Sequence, residues 1–320
     1  MPTHFANVAA LMDVSFSTIS EAKLGWGVTL LVASLRRAGL QSRVEIFSTD
    51  AAPELEKTLA QFGNVRIRLL DTKTDPRNPC LRKPETMLAL ESEYIGWFDN
   101  DCMAIGDIGQ YFMPLNGEFQ IRMRGLDENA WVFERYYEPG EKRGPTPQKI
   151  LKEWQADVGE RKEPRVLTKC LANAFILHRK HRPFLEHWQR QNDKIFPKQL
   201  SVGVVDRNRP AYFMTDESVL SSVLAFANEI PPISEYRFDK DPKNYVAHFA
   251  LRPKPWERWQ WRLWRYYDEV QGVLDWCDSQ KIILPPLPPS FQRRKKLLYG
   301  LMSFTENKMR LVARKARGRK

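Results

Sequence analysis

The residues best placed to do chemistry begin with Asp99 and Asp101. They flank Asn100 at the end of the apolar run Tyr94-Ile95-Gly96-Trp97-Phe98. Two carboxylates so close repel each other unless a cation sits between them. The end of a buried strand in an open α/β sheet is where ligands bind. A divalent metal holding phosphate oxygens would answer the repulsion there. A plain polar turn of Asp and Asn is the alternative, and these residues alone leave both open.

A second group lies far downstream. His248 follows the short apolar stretch Tyr245-Val246-Ala247, and Lys254 comes six residues later in a Pro-braced turn, Arg252-Pro253-Lys254-Pro255-Trp256. If His248 converges on Asp99 and Asp101, the donor set is two carboxylates and an imidazole. Hard oxygens suit Mn2+ or Mg2+, and the imidazole tilts the choice toward Mn2+. Lys254 would then share the charge of a metal-bound phosphate. Taken singly, His248 reads as a core histidine and Lys254 as a surface cation. No GxxxxGK[ST], GxSxG or HExxH motif is present. Gly25-Trp26-Gly27 starts like a dinucleotide fingerprint, but Leu30 stands at the third glycine and no strand is expected immediately before it.

The elements that must position these groups alternate. Strands are expected at Val8–Met12, 43–47, 65–70 and 94–98, with helices at 22–38, 53–62 and 84–91 between them. This order predicts an α/β fold with a mostly parallel sheet and helices on its faces. Gly125 to Pro164 is polar and rich in Gly and Pro, and reads as a functional loop or lid. Leu171–Leu177 reads as a further strand, and Asp216–Ala227 as a helix capped by Thr215. Trp256–Trp276 has a Trp-rich helical pattern. Pro-rich 284–289 reads as a linker.

The chain has 320 residues, 42% of them hydrophobic, and a net charge of +11. A sizeable core follows, and no run is long enough to span a membrane. No secretory signal is expected at the N-terminus. Cys80, Cys102, Cys170 and Cys277 form no CxxC pattern, which disfavours zinc and disulfide scaffolds and fits a reducing cytosol. The charge is not spread evenly. Residues 285–320 hold eleven Lys and Arg against Glu306 alone, so the body is nearly neutral. The basicity belongs to a tail, which argues against nucleic acid as the partner of the body.

Together the motifs resemble the retaining glycosyltransferases of family 8, the glycogenin and lipopolysaccharide galactosyltransferase type. Asp99-Asn100-Asp101 is similar to their DxD. His248 with Lys254-Pro255-Trp256 is similar to HxxGxxKPW. Ser34-Leu35-Arg36 is similar to an SLR in the first helix, and Asn173-Ala174 to a strand ending in NAG. The resemblance covers most of residues 7 to 256. It implies a GT-A fold, a metal on Asp99, Asp101 and His248, and transfer of a sugar from a nucleotide diphosphate, UDP-linked, with retention. It places Arg82, Asn173, Asp216 and Glu217 around the sugar, and Lys254, Asp13, Asn100 and Lys83 around the nucleotide. Three positions depart: Leu251 and Phe175 replace glycines, and Glu217 stands where Gln is usual. Glu217 is a candidate nucleophile for a double displacement, or, with Asp216, only a complement to a helix N-terminus.

The tail places Leu297, Leu298, Leu301, Met302, Met309 and Val312 on one helical arc beside Arg293-Arg294-Lys295-Lys296. Such a segment suits an anionic membrane surface. We therefore expect a GT-A domain over 1–284 and a basic amphipathic tail over 285–320, on the cytoplasmic face of a membrane, with a glycolipid or surface-polysaccharide acceptor. A sugar-phosphate nucleotidyltransferase would want a Gly-rich, Arg-containing loop after the first strand, and Met12-Asp13-Val14-Ser15-Phe16 is not one. A GT-A scaffold that has become a non-catalytic membrane or nucleic-acid adaptor is the other rival.

Overall fold

A computed structural model describes residues 13–106, 108–111, 118–234, 245–250 and 252–317. In chain order they form strand β1 (Val14–Ser20), helix α1 (Gly25–Arg37), β2 (Arg43–Ser48), α2 (Pro53–Ala60), β3 (Val65–Leu69), α3 (Lys83–Leu88), β4 (Tyr94–Phe98) and β5 (Cys102–Ala104). There follow α4 (Ile108–Tyr111), β6 (Phe119–Met123), α5 (Leu126–Val132), α6 (Gln148–Val158), β7 (Cys170–His178), α7 (Arg182–Ile195) and α8 (Thr215–Phe226). Last come β8 (Ile233–Ser234), β9 (Val246–His248), α9 (Tyr267–Ser279) and α10 (Lys296–Arg317).

Seven strands form one sheet in the order β3-β2-β1-β4-β7-β6-β8. β3, β2, β1 and β4 run parallel, β7 is antiparallel to both neighbours, and β8 is parallel to β6. Successive strand side chains point to opposite faces, and this sorts the core in two. Phe16, Val44, Ile46, Phe98, Ala174 and Ile176 meet α1, α2 and α9 on one face. Ile19, Phe47, Ile95, Trp97, Phe175 and Leu177 meet α3, α6, α7 and α8 on the other. Gly96 is needed for this packing, because a Cβ there would lie 2.2 Å from Phe16 Cδ1. The fold is the α/β type expected, a mixed, mostly parallel sheet with helices on both faces and a C-terminal helix.

Several elements differ from the sequence reading. Val8–Met12 lies outside the described residues, and the strand that leads into α1 is β1. Its signal is weak because Ser15, Ser17, Thr18 and Ser20 are buried. A hydrogen bond makes the burial of Ser15 tolerable: its Oγ lies 2.5 Å from Ser92 Oγ. The stretch 125–164 is not one long loop, since it carries α5 and α6. Ile150, Leu151 and Trp154 bury one face of α6, and Trp154 Nε1 donates to Ala211 O at 2.8 Å. Thr215 does not cap α8. It is the first helical residue, and its Oγ1 donates to Val204 O at 3.0 Å.

The Trp-rich segment turns through 256–263 and becomes α-helical only from Tyr267. Trp259 and Tyr267 are core residues. The residues that follow the Pro-rich segment are strapped to the body. Phe291 is fully buried, Trp259 Nε1 donates to Ser290 O, and Gln271 Nε2 donates to Phe291 O, both at 2.8 Å.

Candidate functional site

A three-residue ladder assembles the site. β5 starts one residue after Asp101 and pairs antiparallel with β9, so that Cys102 faces His248. Phe249 N donates to Asp101 O at 2.8 Å, and Cys102 N to Asp99 O at 3.0 Å. The turn after β4 and the end of β9 are thereby locked together. His248 Nε2 lies 3.2 Å from Asp101 Oδ1 and 3.6 Å from Asp99 Oδ2.

His248 Nε2 is close enough to either carboxylate for the two to share a small divalent cation. Neighbouring donors of an octahedral ion held at roughly 2.1 Å stand about 3 Å apart, close to the spacings found here. The Cys102 thiol is also within 4.8 Å of ligand atoms of Asp101 and His248. Burial and the nearby carboxylates push it well above the usual thiol range, so it stays protonated. A hard ion prefers carboxylate oxygens to a thiol, and a softer one would take Cys102 with Asp101 and His248. Burial would lower the His248 pKa, but Asp101 and Asp99 raise it instead. Burial works the other way on Asp101, yet His248 and Lys254 hold it far below the usual carboxylate range. Asp101 and His248 thus stabilise each other's charge.

Two lysines flank it. Lys254 Nζ lies 2.5 Å from Asp101 Oδ2 and donates to Phe249 O at 2.6 Å. Lys83 Nζ is nearly sealed from solvent, 2.8 Å from both Asp99 Oδ1 and Asp216 Oδ2, and sits over the Trp97 ring. Burial alone would strip its proton, but Asp216 and Asp99 keep it charged. Trp97 Nε1 also donates to Asp99 Oδ1, at 2.8 Å. Asn100 turns away from this cluster, and its Nδ2 donates to Ile19 O at 2.6 Å. Gly27 holds the same turn from the other side. A Cβ there would lie 2.4 Å from Asn100 O and 2.8 Å from Trp256 Cη2. β1 ends at Ser20 and a 3-10 turn, Ala22–Leu24, separates it from Gly25-Trp26-Gly27, and Gly27 faces protein rather than an open phosphate pocket.

Not every expected residue converges. Asp13 lies before β1, at the opposite end of the parallel strands, where its Oδ2 accepts from Glu93 N at 3.1 Å. Six strand residues put it roughly 20 Å from Asp99, so it is no nucleotide ligand. Arg82 turns from the cluster and forks onto Glu85 at 2.6 and 2.8 Å, while Lys83 takes the place beside Asp99. Phe175 is buried against Phe119 and Trp188 and lines no cleft. Leu251 lies outside the described residues. Ser34 and Arg36 are structural: Ser34 Oγ accepts from Ala104 N, and Arg36 donates to Phe62 O and Leu40 O.

Beside His248 a cleft of about 320 Å³ opens, lined among others by Asn173, Glu217, Arg122 and Arg124. Asn173 O accepts from Asp99 N at 2.7 Å, joining the cleft to the carboxylate pair. Glu217 Oε1 lies 2.9 Å from Lys169 Nζ and 3.1 Å from Arg124 Nη2. Burial would raise the Glu217 pKa, but Lys169 and Arg124 hold it down at about 2. Lys169 and Arg124 escape sequence reasoning because isolated basic residues carry no spacing signal.

No protein-family model and no curated protein matches the sequence. Solved structures do resemble the fold. The bifunctional glycosyltransferase WbbM superposes with a TM-score of 0.53 at 12% identity over 82% of this chain. This chain spans half the length of WbbM. The galactosyltransferase LgtC, bound to donor and acceptor sugar analogues, gives 0.48 at 13% identity, over 85% of this chain and 97% of LgtC. Core-mannan synthase A of Aspergillus fumigatus, in a Mn/GDP form, gives 0.41 at 9% identity, over 75% of each chain. The WbbM likeness shows a shared fold.

Proposed function

We propose that this protein is a metal-dependent glycosyltransferase that takes its sugar from a nucleotide diphosphate donor, UDP-linked, and transfers it with retention. The observation that carries the reading is the convergence of Asp99, Asp101 and His248, flanked by Lys254, where the parallel strand β4 ends. The glycosyltransferase fold of WbbM supports it.

Asp99, Asp101 and His248 would hold Mn2+ or Mg2+. When bound, the ion neutralises charge on the departing diphosphate. Lys254 adds a fixed cation on the same side, where low dielectric strengthens it. Lys83 bridges Asp99 and Asp216 and fixes both carboxylates beside the sugar. Asn173 and the inner wall of the cleft position the sugar ring. Glu217 is held between Lys169 and Arg124, so its charge is already spent. We assign it the job of fixing Arg124 and the cleft wall rather than that of nucleophile. The anomeric carbon is then attacked from the face the nucleotide leaves.

The tail completes the proposal. No helix among the described residues is long and apolar enough to cross a membrane. Yet Leu297, Leu301, Phe304 and Val312 stand out from α10 at 82%, 66%, 59% and 67% exposure, among its basic residues. Ser303 is buried and Tyr299 packs on the core, so the opposite side of α10 faces the body. We propose that the apolar side rests on an anionic membrane at roughly 1 kcal/mol per basic residue near the lipid, on the cytoplasmic face, beside a glycolipid or surface-polysaccharide acceptor. A screen of nucleotide sugars for Mn2+-dependent hydrolysis tests the catalytic reading. At least one UDP-sugar is expected to be hydrolysed only with the metal. Hydrolysis of none, or of one equally well in chelator, would contradict it.

A further inference from the structure

We infer that the acceptor carries an anionic group, a carboxylate or phosphate on its sugar, received by Arg262 and Arg265 at the mouth of the cleft. The inference rests on the nucleotide-sugar reading above. Four arginines line the cleft, Arg122, Arg124, Arg262 and Arg265, against two acids, Glu128 and Glu217. The inner pair is already spent. Arg122 Nη2 meets Glu128 at 2.9 Å, and Arg124 meets Glu128 at 3.0 Å and Glu217 at 3.1 Å. Lys169 adds a further cation to Glu217.

The outer pair is different. Among the described residues, no carboxylate pairs with Arg262 or Arg265. Arg262 lies over the Trp261 ring at 5.2 Å. Arg265 lies over the Tyr266 ring at 4.5 Å, and its Nη2 meets Tyr266 Oη at 2.5 Å. Aromatic contacts hold a guanidinium in place without neutralising it. Both arginines are exposed, while Tyr266 and Leu263 between and beside them are buried.

Two anchored guanidinium groups three residues apart, with no carboxylate partner among the described residues, thus face a cleft whose other two arginines are paired with acids. Guanidinium forks match carboxylate and phosphate oxygens in pairs. A cleft lined by one sign of charge concentrates its field on an incoming ligand. The donor sugar belongs to the inner wall of Asn173, His248 and Glu217, where the cations are occupied. The unspent charge lies at the mouth, on the acceptor's side.

The test uses the full chain with UDP and Mn2+ in low salt. Glucose against glucuronic acid, galactose against galacturonic acid, and each neutral hexose against its 6-phosphate are titrated by calorimetry. At least one charged sugar is expected to bind tenfold or more tightly than its neutral partner. R262Q/R265Q is expected to abolish that difference, and R262K/R265K to restore part of it. Equal affinities in every pair, or a preference that survives R262Q/R265Q, overturns the inference. So does a charge preference confined to donors, read from UDP-glucuronic acid against UDP-glucose hydrolysis. The thermal shift by UDP and Mn2+ on the same samples reads the nucleotide site separately. An arginine-dependent preference with no UDP shift supports the anion site and sinks only the donor reading.

Discussion

Cys102 and His248 stand opposite each other in the β5–β9 ladder, and that one pairing sets the imidazole 3.2 Å from Asp101. The ladder is only three residues long. Its geometry depends on the turn between β4 and β5, which Gly27 and Asn100 hold in place.

Gly27→Ala tests that dependence. Its Cβ would collide with the Asn100 carbonyl and the Trp256 ring. Backbone is a neighbour that gives way poorly, so the variant should lose about 1–3 kcal/mol of stability. It should also lose most Mn2+-dependent UDP binding. Denaturant unfolding and a UDP titration check the two effects. Full stability with wild-type binding would show that the turn is not held this way.

Glu217→Gln separates the two roles open to that residue. The amide takes the counter-charge from Lys169 and leaves Arg124 with Glu128 alone, and breaking a buried pair costs about 3–5 kcal/mol. Mass spectrometry of the wild type with a slow donor should show no glycosyl adduct on Glu217. A trapped adduct would make Glu217 the nucleophile after all.

The same carboxylate predicts an acid response. Its pKa falls from 4.5 to about 2 on folding. The folded state therefore binds fewer protons, and falling pH favours unfolding. The stability involved, roughly 3 kcal/mol, is fully present above 4.5 and lost as pH drops toward 2. The stability gap between wild type and Glu217→Gln should narrow over that window. Denaturation midpoints at pH 6, 4 and 3 measure it, and a constant gap would contradict it.

The legible parts of the sequence were those with periodic or motif signals. The alternation of 43–47, 65–70 and 94–98 with helices is visible because each strand is bounded by turn residues. Asp99, Asp101, His248 and Lys254 were found because their order and spacing resemble a known signature. β1 was hidden by its buried serines; the partner of the Ser15 hydroxyl, Ser92, lies 77 residues away. α6 was masked by the Gly and Pro around it. Arg124, Lys169, Arg262 and Arg265 become a group only when β6, β7 and the turn after β9 meet. Arg82 and Lys83 show the limit of counting: one residue along the chain decides which cation reaches Asp99.

Membrane attachment by α10 predicts sedimentation with anionic liposomes that falls with rising salt. Leu297→Ser, Leu301→Ser and Phe304→Ser together should reduce it at least tenfold while leaving the folded body intact, since these side chains are exposed. Binding unchanged by the triple substitution, or equal on neutral liposomes, would remove the membrane from the account.

The most direct test of the metal and nucleotide site is the thermal shift of the full chain by UDP, with and without Mn2+, in wild type and His248→Ala. His248 is half-buried and its removal leaves the Asp101–Lys254 pair in place, so the variant should fold. We predict a clear UDP-induced rise in Tm that needs Mn2+ in the wild type. In His248→Ala the Mn2+ concentration for half the effect should rise about tenfold or more. A UDP shift indifferent to Mn2+, or a wild-type metal response in His248→Ala, would contradict the account.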